Sequence, residues 1–318
     1  MPVEYCKEVQ SGFEEIFHMS KKMKAAIWAL LALFLLSAGF LIYILSGYGR
    51  WITYMSYLQE PQEIYNMEAG IIKGLSEFQD GEECKITYDF DNTEYPDLLA
   101  RYEIDKIAGN GSEFEKARAL MNAFADRLHH KSDYDNHINM NAVELLEYSL
   151  DNRTHGINCR AKAQILNEMC LALGLYSRKV WINPNSVYDS DCHVVNEVWD
   201  TELNQWVMLD ITNNYYWVDE TGKPLSVLEI REHIANQEFC TPVTPDDNLK
   251  ELQKSLQRNY ENFLYIAKNM VYMYYCTNNS LGETENFYII MPKNCVLNES
   301  APLILVSKES IESSPFEK

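Results

Sequence analysis

The sequence predicts an α+β fold in which one helix packs on an antiparallel sheet, with flanking helices and one transmembrane helix before them. Residues 25–48 form one uncharged apolar segment, apolar side chains recur at helical spacing along residues 159–173, and residues 177–211 contain short strand-like runs. The first pattern is typical of a membrane span, the second of an amphipathic helix and the third of strands. Because helices precede and follow the strands, one mixed domain is expected.

The apolar segment is long enough to cross a bilayer. Residues 25–48 contain only apolar, glycine, serine and tyrosine side chains, and about 24 helical residues at a rise of ~1.5 Å span ~36 Å. A buried core helix of this length usually keeps a polar face, and the apolar region of a cleaved signal peptide is shorter. The segment is therefore predicted to be an uncleaved transmembrane helix.

Positive charge lies mainly on the N-terminal side of this segment. The preceding lysines are Lys7, Lys21, Lys22 and Lys24, and only Arg50 follows closely. Cytoplasmic flanks of membrane spans carry an excess of Lys and Arg. We therefore expect a single-pass protein of the cell membrane, with residues 1–24 cytoplasmic, residues 49–75 a juxtamembrane stalk and residues 76–318 an extracytoplasmic domain.

The composition limits the partners of that outer region. The chain holds 27 Lys and Arg against 47 Asp and Glu, a formal net charge of −20, without a basic stripe. Such an acidic surface disfavours nucleic acid and anionic lipid headgroups, so we expect no nucleic acid partner. No cysteine and histidine spacing suggests zinc, and we expect neither a metal nor a cofactor.

The cysteines leave the disulfide state open. One of the eight, Cys6, precedes the apolar segment, and the others follow it. If one of the cysteines after the apolar segment is a catalytic thiol, the other six could pair as disulfides in many ways. An oxidising compartment would permit such disulfides. The oligomeric state is also left open by the sequence.

One short motif places a cysteine where its thiol would be reactive. Gly156-Ile-Asn-Cys159 precedes a helical run with one apolar stripe, and Gly174 is a natural end for that helix. The unpaired N–H groups and dipole of a helix N-terminus favour a thiolate and could receive an oxyanion. The alternative is that Cys159 is only the first apolar residue of its stripe. Lys162 and Glu168 lie elsewhere on the helical wheel.

A histidine and an aspartate follow on consecutive predicted strands. His193 opens the first strand, and Asp210 lies late in the second. Because side chains alternate between the faces of a strand, the two share a face in either of two registers. If Trp199 pairs with Trp206, Asp210 lies diagonal to His193; if Trp199 pairs with Asn204, Asp210 lies directly opposite. A thiol, an imidazole and a carboxylate form the set that thiol acyl-transfer chemistry needs.

Local signals define the remaining elements. Ser112 and Glu115 form a predicted capping box at the start of a helix that continues to Leu128. The other predicted elements are a helix over 142–150, strands over 85–89, 177–182, 194–199 and 206–211, a helix over 226–237, helical structure in much of 247–275, and strands over 287–291 and 303–306.

The cysteine, histidine and aspartate motifs, taken as a set, resemble those of the transglutaminase-like family of bacterial proteins. The resemblance covers roughly residues 112–235. It implies a papain-like core in which the nucleophile helix packs on an antiparallel sheet. It also implies that Cys159 is the nucleophile, His193 the base and acid, and Asp210 the carboxylate that orients the imidazole.

Two neighbours of the nucleophile depart from eukaryotic transglutaminases, which carry Gln before the Cys and Trp after it. Here Asn158 precedes Cys159 and Arg160 follows it. Asn158 is a candidate oxyanion donor through its amide and is equally suited to cap the helix. No calcium-binding loop is recognised in the sequence.

Together these observations predict a membrane-anchored, thiol-dependent acyl-transfer enzyme that acts on peptide or protein amides through a thioester. Water would resolve the thioester in a protease or amidase, and an amine would resolve it in a transglutaminase; the sequence leaves both open. The alternative is a catalytically silent transglutaminase-like ectodomain that serves as a binding scaffold. The expected partners are a peptide or protein substrate and the membrane.

Overall fold

A computed structural model describes residues 21–45, 61–186, 189, 191–247, 260–284, 286–295 and 303–316. The chain divides into two units, Met1–Pro61 and Gln62–Lys318. Four sets of predictions lie wholly or partly outside the described residues: the cytoplasmic segment up to residue 20, the last three residues of the apolar segment, residues 49–60 of the stalk, and residues 248–259 of the predicted helical stretch.

The first unit contains helix α1, Lys21–Leu45. Its part from Lys21 to Tyr43 is long and apolar enough to cross a membrane, by length and composition, and it lies near the N-terminus. Its large apolar side chains are exposed. A helix with this composition and length matches the predicted span over residues 25–45.

The bounds of the other elements are as follows. The helices are α2 (Pro61–Gly74), α3 (Tyr95–Tyr102), α4 (Ile104–Ala108), α5 (Glu113–Phe124), α6 (Ala142–Asp151), α7 (Cys159–Ala172), α8 (Val227–Asn236), α9 (Tyr260–Asn269) and α10 (Lys308–Glu312). The strands are β1 (Thr87–Tyr88), β2 (Ser177–Asn183), β3 (His193–Asp200), β4 (Gln205–Leu209), β5 (Tyr216–Asp219), β6 (Cys240–Val243), β7 (Tyr272–Cys276), β8 (Asn278–Asn279), β9 (Phe287–Ile290) and β10 (Leu303–Leu305).

The main sheet has the strand order β10-β9-β7-β2-β3-β4. Its neighbouring strands are antiparallel except for β9 and β10, which are parallel. The antiparallel β2–β3–β4 meander follows directly from three consecutive strands with short connections. Strand β7 comes much later in the chain and lies beside β2, which places β2 and β3 inside the sheet.

Helix α7 lies between this sheet and a group of helices. It packs against β2 and β3 on one side and against α3, α5 and α6 on the other, and Asn196 Nδ2 on β3 donates a hydrogen bond to its main chain. The helix is buried on every side, so the polar residues that the sequence sets apart from the stripe are also inside: Lys162 is 2% exposed and Glu168 0%. Glu168 accepts hydrogen bonds from the backbone N–H groups of Ala142 and Gly282, which satisfies its buried oxygens.

The predicted elements between residues 112 and 237 form, with shifted ends. The capping box of Ser112 and Glu115 is present, and α5 ends at Phe124 rather than Leu128. Strand β4 ends at Leu209 rather than at residue 211, so Asp210 follows the strand instead of lying within it. The physical reason is the turn after Asp210, which takes up its backbone and side-chain groups.

The predicted helical structure over much of residues 247–275 is partly wrong. Residues 248–259 lie outside the described residues, and Tyr260–Asn269 is helical as expected. Residues Tyr272–Cys276 instead form β7, which pairs with β2 and β9. Pairing with two strands that are distant in sequence satisfies the backbone of this tyrosine-rich segment, whose side chains also suit a strand.

Helix α2 belongs to the compact unit that begins at Gln62. Its side chains Tyr65, Ala69 and Ile72 are buried, and the Tyr65 ring contacts Phe263 on α9 with a centroid distance of 4.9 Å. The sequence pattern predicts a stalk for this segment instead. The burial of one face explains the difference, since a free stalk helix would expose it.

Candidate active site

Cys159 is the first residue of α7. Asn158 caps the helix, because its Oδ1 accepts a hydrogen bond from the Ala161 N–H at 3.0 Å. The chain reaches this position through Gly156, where an added Cβ atom would lie 2.7 Å from the Cβ atom of Lys131. A side chain at Gly156 would therefore push the segment away, and the glycine fixes how the chain approaches Cys159.

His193 and Asp210 are joined by a buried hydrogen bond. Trp199 pairs with Trp206, which is the first of the two registers considered from the sequence. Asp210 lies just beyond β4 in a bridge with Tyr215. From there its Oδ2 lies 2.7 Å from His193 Nε2, and the two residues are only 0% and 3% exposed.

The turn after β4 holds the Asp210 carboxylate. Oδ1 accepts the backbone N–H groups of Thr212 at 2.9 Å and Asn213 at 3.2 Å, and Oδ2 accepts Asn213 Nδ2 at 2.8 Å. Burial disfavours the charged carboxylate, but the His193 ring and the Asn213 donors outweigh burial and lower the pKa of Asp210. Asp210 is thus an ionised, fixed acceptor for the imidazole.

The surroundings of Cys159 and His193 favour an ion pair. Burial opposes the charge on His193, but the Asp210 carboxylate and then the Cys159 sulfur outweigh burial and raise the pKa of His193 to about 10. Burial also opposes the Cys159 thiolate, but hydrogen bonds from His193 and the Val194 backbone N–H lower the pKa of this thiol. Since His193 Nε2 faces Asp210, Nδ1 is the ring atom left for the sulfur. At neutral pH this arrangement favours a thiolate beside an imidazolium.

Cys159 and His193 line a cavity of about 670 Å³, which is large enough to hold a short peptide segment. Residues 130–136 contribute polar groups to its wall, Trp181 and Tyr265 contribute aromatic rings, and Arg160 and Asp191 contribute opposite charges. Cys159 and His193 therefore form part of the cavity wall, whereas Asp210 does not line the cavity.

Asn158 also lines this cavity. Its Nδ2 donates a hydrogen bond to Asn136 Oδ1 at 3.1 Å, while its Oδ1 caps α7. An amide nitrogen carries two hydrogens, so one remains for a group in the cavity. Asn136 has a positive φ of 54°, a conformation that asparagine tolerates better than most residues.

Several residues of the site are not found by sequence reasoning. Asn213 lies three residues after Asp210, and the polar turn that an aspartate favours there is a signal for it. Tyr265 packs its ring edge-on against His193 with a centroid distance of 5.5 Å and donates its hydroxyl to Asp191 at 3.2 Å. Tyr265 is far from His193 in sequence, so no local pattern marks it.

Four cysteines in the described part of the chain are free thiols, namely Cys159, Cys170, Cys240 and Cys276. Cys192 lies beside His193 and lines the same cavity as Cys159. Within the described ranges, no cluster of histidine, cysteine and carboxylate side chains is arranged to hold a metal ion.

The structure has a transglutaminase-like fold with a cysteine at the start of a buried helix that packs on an antiparallel sheet. Residues 101–211, which include α7, β2, β3, β4 and Asp210, match the model of the transglutaminase-like superfamily. This part of the chain is therefore similar to the core of that superfamily, as the motifs indicate. No curated protein sequence matches the chain.

A solved structure from Cytophaga hutchinsonii, named "Putative Cysteine Protease", is similar to part of the chain. The similarity has 14% sequence identity and a TM-score of 0.30, and it covers 49% of this chain and 50% of that one. The chain thus spans about half the length of that protein. A similarity at this level carries no argument about activity.

Proposed function

We propose that the protein is a thiol-dependent acyl-transfer enzyme that acts on peptide or protein amides, with Cys159 as nucleophile, His193 as base and acid, and Asp210 as the orienting carboxylate. The observation that carries the proposal is the buried 2.7 Å hydrogen bond between Asp210 and His193, and the same imidazole lies close enough to Cys159 to lower the pKa of its thiol. This chain of groups is the arrangement that activates a thiol.

The first half of the reaction forms a thioester. The Cys159 thiolate attacks the amide carbonyl carbon, a C–S bond forms and the carbonyl oxygen takes the electron pair. The tetrahedral intermediate collapses, the C–N bond breaks and the His193 imidazolium gives its proton to the leaving nitrogen. Asp210 keeps the imidazole in the orientation and tautomer that this transfer needs.

The second half releases the acyl group. Water or an amine gives a proton to His193 and attacks the thioester carbonyl, the C–S bond breaks and the Cys159 thiolate is regenerated. The product is a carboxylate if water attacks and a new amide if an amine attacks. Both outcomes use the same three residues, so hydrolysis and transamidation are two forms of one proposal.

The oxyanion of each tetrahedral intermediate would face the N-terminus of α7. The first-turn N–H groups of the helix point toward this position, and the second amide hydrogen of Asn158 is a further donor. Asn158 would then cap the helix through oxygen and stabilise the oxyanion through nitrogen. Removing one oxyanion donor from an acyl-transfer enzyme costs about 10²–10³ in kcat.

We further propose that residues 25–48 anchor the protein in the cell membrane, with residues 1–24 in the cytoplasm. The candidate span supports the anchor, and the lysines before residue 25 support the orientation. A peptide or cell-wall-associated protein outside the membrane is the substrate class that this location favours. The acidic outer region argues against nucleic acid as a partner.

The test compares the wild-type protein with the Cys159→Ala variant on glutamine-containing peptides. Ammonia release, new carboxylates and incorporation of a fluorescent primary amine are measured together by mass spectrometry and fluorescence. Ammonia release with new carboxylates indicates hydrolysis, and amine incorporation indicates transamidation; both should vanish in Cys159→Ala. Cys170→Ala is the matched control, because Cys170 is a buried cysteine on the same helix. If no peptide is turned over and the Cys159 thiol reacts with iodoacetamide no faster than the other cysteines, the scaffold alternative is favoured.

A further inference from the structure

Arg160 occupies the position directly after the nucleophile. It lines the cavity that holds Cys159 and His193. Its side chain remains 42% exposed, whereas its ion-pair partner Glu283 is only 5% exposed. The Arg160 side chain is therefore partly accessible, while the carboxylate that holds it is buried.

The charge around Arg160 is positive on balance. Glu283 contacts both Arg160 and Lys179, so one carboxylate lies between two cations. Burial lowers the pKa of Lys179 to about 8, which leaves this amine mostly protonated at neutral pH. Glu168 also acts electrostatically on Lys179, and burial raises the pKa of Glu168 to about 7, so this carboxyl is only partly charged. This local positive charge is opposite in sign to the net charge of −20 of the whole chain.

Asp191 is the acidic residue that lines the cavity, and Lys268 lies 3.1 Å from its Oδ2 and 2.9 Å from Asp189. The cavity lining therefore contains one cationic residue, Arg160, and one carboxylate that is already paired with a lysine, Asp191. A peptide carboxylate in the cavity would be attracted to Arg160 and repelled from Asp191.

We propose that Arg160 is a specificity-determining residue that binds a carboxylate of the substrate next to the scissile amide. The inference rests on the proposed function, because it assumes that the substrate reaches the Cys159 thiolate. A guanidinium binds carboxylates through two parallel N–H donors. The carboxylate can belong to an acidic side chain or to the C-terminus of the peptide, since both have the same chemistry.

The first experiment measures the alkylation of Cys159 by iodoacetate, which carries a carboxylate, and by iodoacetamide, its neutral counterpart. Rate constants at Cys159 are determined at pH 7 by peptide mass spectrometry, and the ratio of the two rates is compared among variants. Arg160→Gln should lower the ratio of the iodoacetate rate to the iodoacetamide rate roughly five- to tenfold, as expected for the loss of one charge a few ångströms from the sulfur. Sodium chloride at high concentration should lower the ratio in the wild type as well.

Two further variants make the result specific. Arg153→Gln is the matched control, because it removes the same charge from an exposed position that does not line this cavity, and it should leave the ratio unchanged. Glu283→Gln keeps Arg160 and removes its counter-charge, so the ratio should rise. This variant keeps the inference testable if Arg160→Gln does not fold.

The second experiment distinguishes the two carboxylate sources. The blocked peptides acetyl-Gln-Asp-amide and acetyl-Gln-Gly with a free C-terminus are compared with acetyl-Gln-Gly-amide as protectants against iodoacetamide. Stronger protection by the first indicates a side-chain carboxylate, and stronger protection by the second indicates a chain end. Equal protection by all three, or an alkylation ratio that Arg160→Gln and Glu283→Gln leave unchanged, overturns the inference. Slow labelling of Cys159 by iodoacetamide itself would instead contradict the proposed function.

Discussion

Replacing Asp210 with asparagine tests whether Cys159 and His193 form an ion pair. Asparagine has nearly the same size as aspartate, so the buried position can be filled without a cavity. It removes the negative charge that accepts the His193 Nε2 hydrogen bond at 2.7 Å. An asparagine amide that donates toward Nε2 would also favour the tautomer with its proton on Nδ1, which cannot accept the thiol proton.

The size of the effect follows from the charge states. The Asp210 carboxylate outweighs burial and raises the pKa of His193 to about 10, and His193 in turn lowers the pKa of Cys159. Without that carboxylate, burial should return the imidazole to its neutral form, and the pKa of the Cys159 thiol should rise. An ordinary thiol is only about 3% ionised at pH 7, so the thiolate population should fall by up to about 30-fold.

The assay is the pH dependence of iodoacetamide alkylation at Cys159 between pH 5 and pH 10. A thiol with a lowered pKa stays ionised to a lower pH, so the wild-type rate should begin to fall at a lower pH than the rate of the Asp210→Asn variant. The Asp210→Asn rate should fall about tenfold per pH unit below its raised pKa. Turnover of any peptide amide should fall more, roughly 10³–10⁴-fold, because a catalytic histidine without its carboxylate is held in the wrong tautomer, and this loss costs about 10⁴ in kcat in serine proteases.

The control is Asp191→Asn. Asp191 lines the same cavity and contacts Lys268 rather than the imidazole, so the same loss of charge should shift the alkylation profile little. Circular dichroism of both variants is the check that each is folded before the alkylation profiles are compared. A folded Asp210→Asn protein with the wild-type alkylation profile would refute the ion-pair reasoning.

Three further predictions concern stability and topology. Arg178→Ala should lower the free energy of unfolding, measured by urea denaturation, by about 3–5 kcal/mol. The reason is that Glu197 would remain buried without the two Arg178 N–H donors at 2.7 and 2.9 Å. A loss below about 1 kcal/mol would show that other groups compensate the Glu197 charge. Ser112→Ala should cost about 1 kcal/mol in the same assay, since it removes the cap of α5, and an unchanged midpoint would contradict the role of the cap. Protease treatment of spheroplasts should digest residues 62–318 and spare residues 1–24; the reverse pattern would invert the proposed orientation.

Much of the site's local geometry could be predicted from the sequence, because it depends on short stretches of chain. Gly156 and Asn158 place Cys159 at a helix start through capping and a close approach, both of which act within a few residues. The alternation of side chains along two strands joined by a short turn puts His193 and Asp210 on one side. Only the register and the end of β4 at Leu209 needed the structure, since these depend on competition between the strand and the turn that follows it.

The structure decided what depends on residues that are distant in sequence. Strand β7 forms between β2 and β9 although its sequence was expected to be helical, because the hydrogen-bonding partners that make it a strand lie on other segments. Lys162 and Glu168 are buried because α7 is covered on both sides, and a helical wheel cannot show the second layer. The contact of Tyr265 with His193 likewise exists only after folding. The sequence by itself determined which groups begin and end each element around the nucleophile, whereas tertiary packing determined which charges and rings surround them.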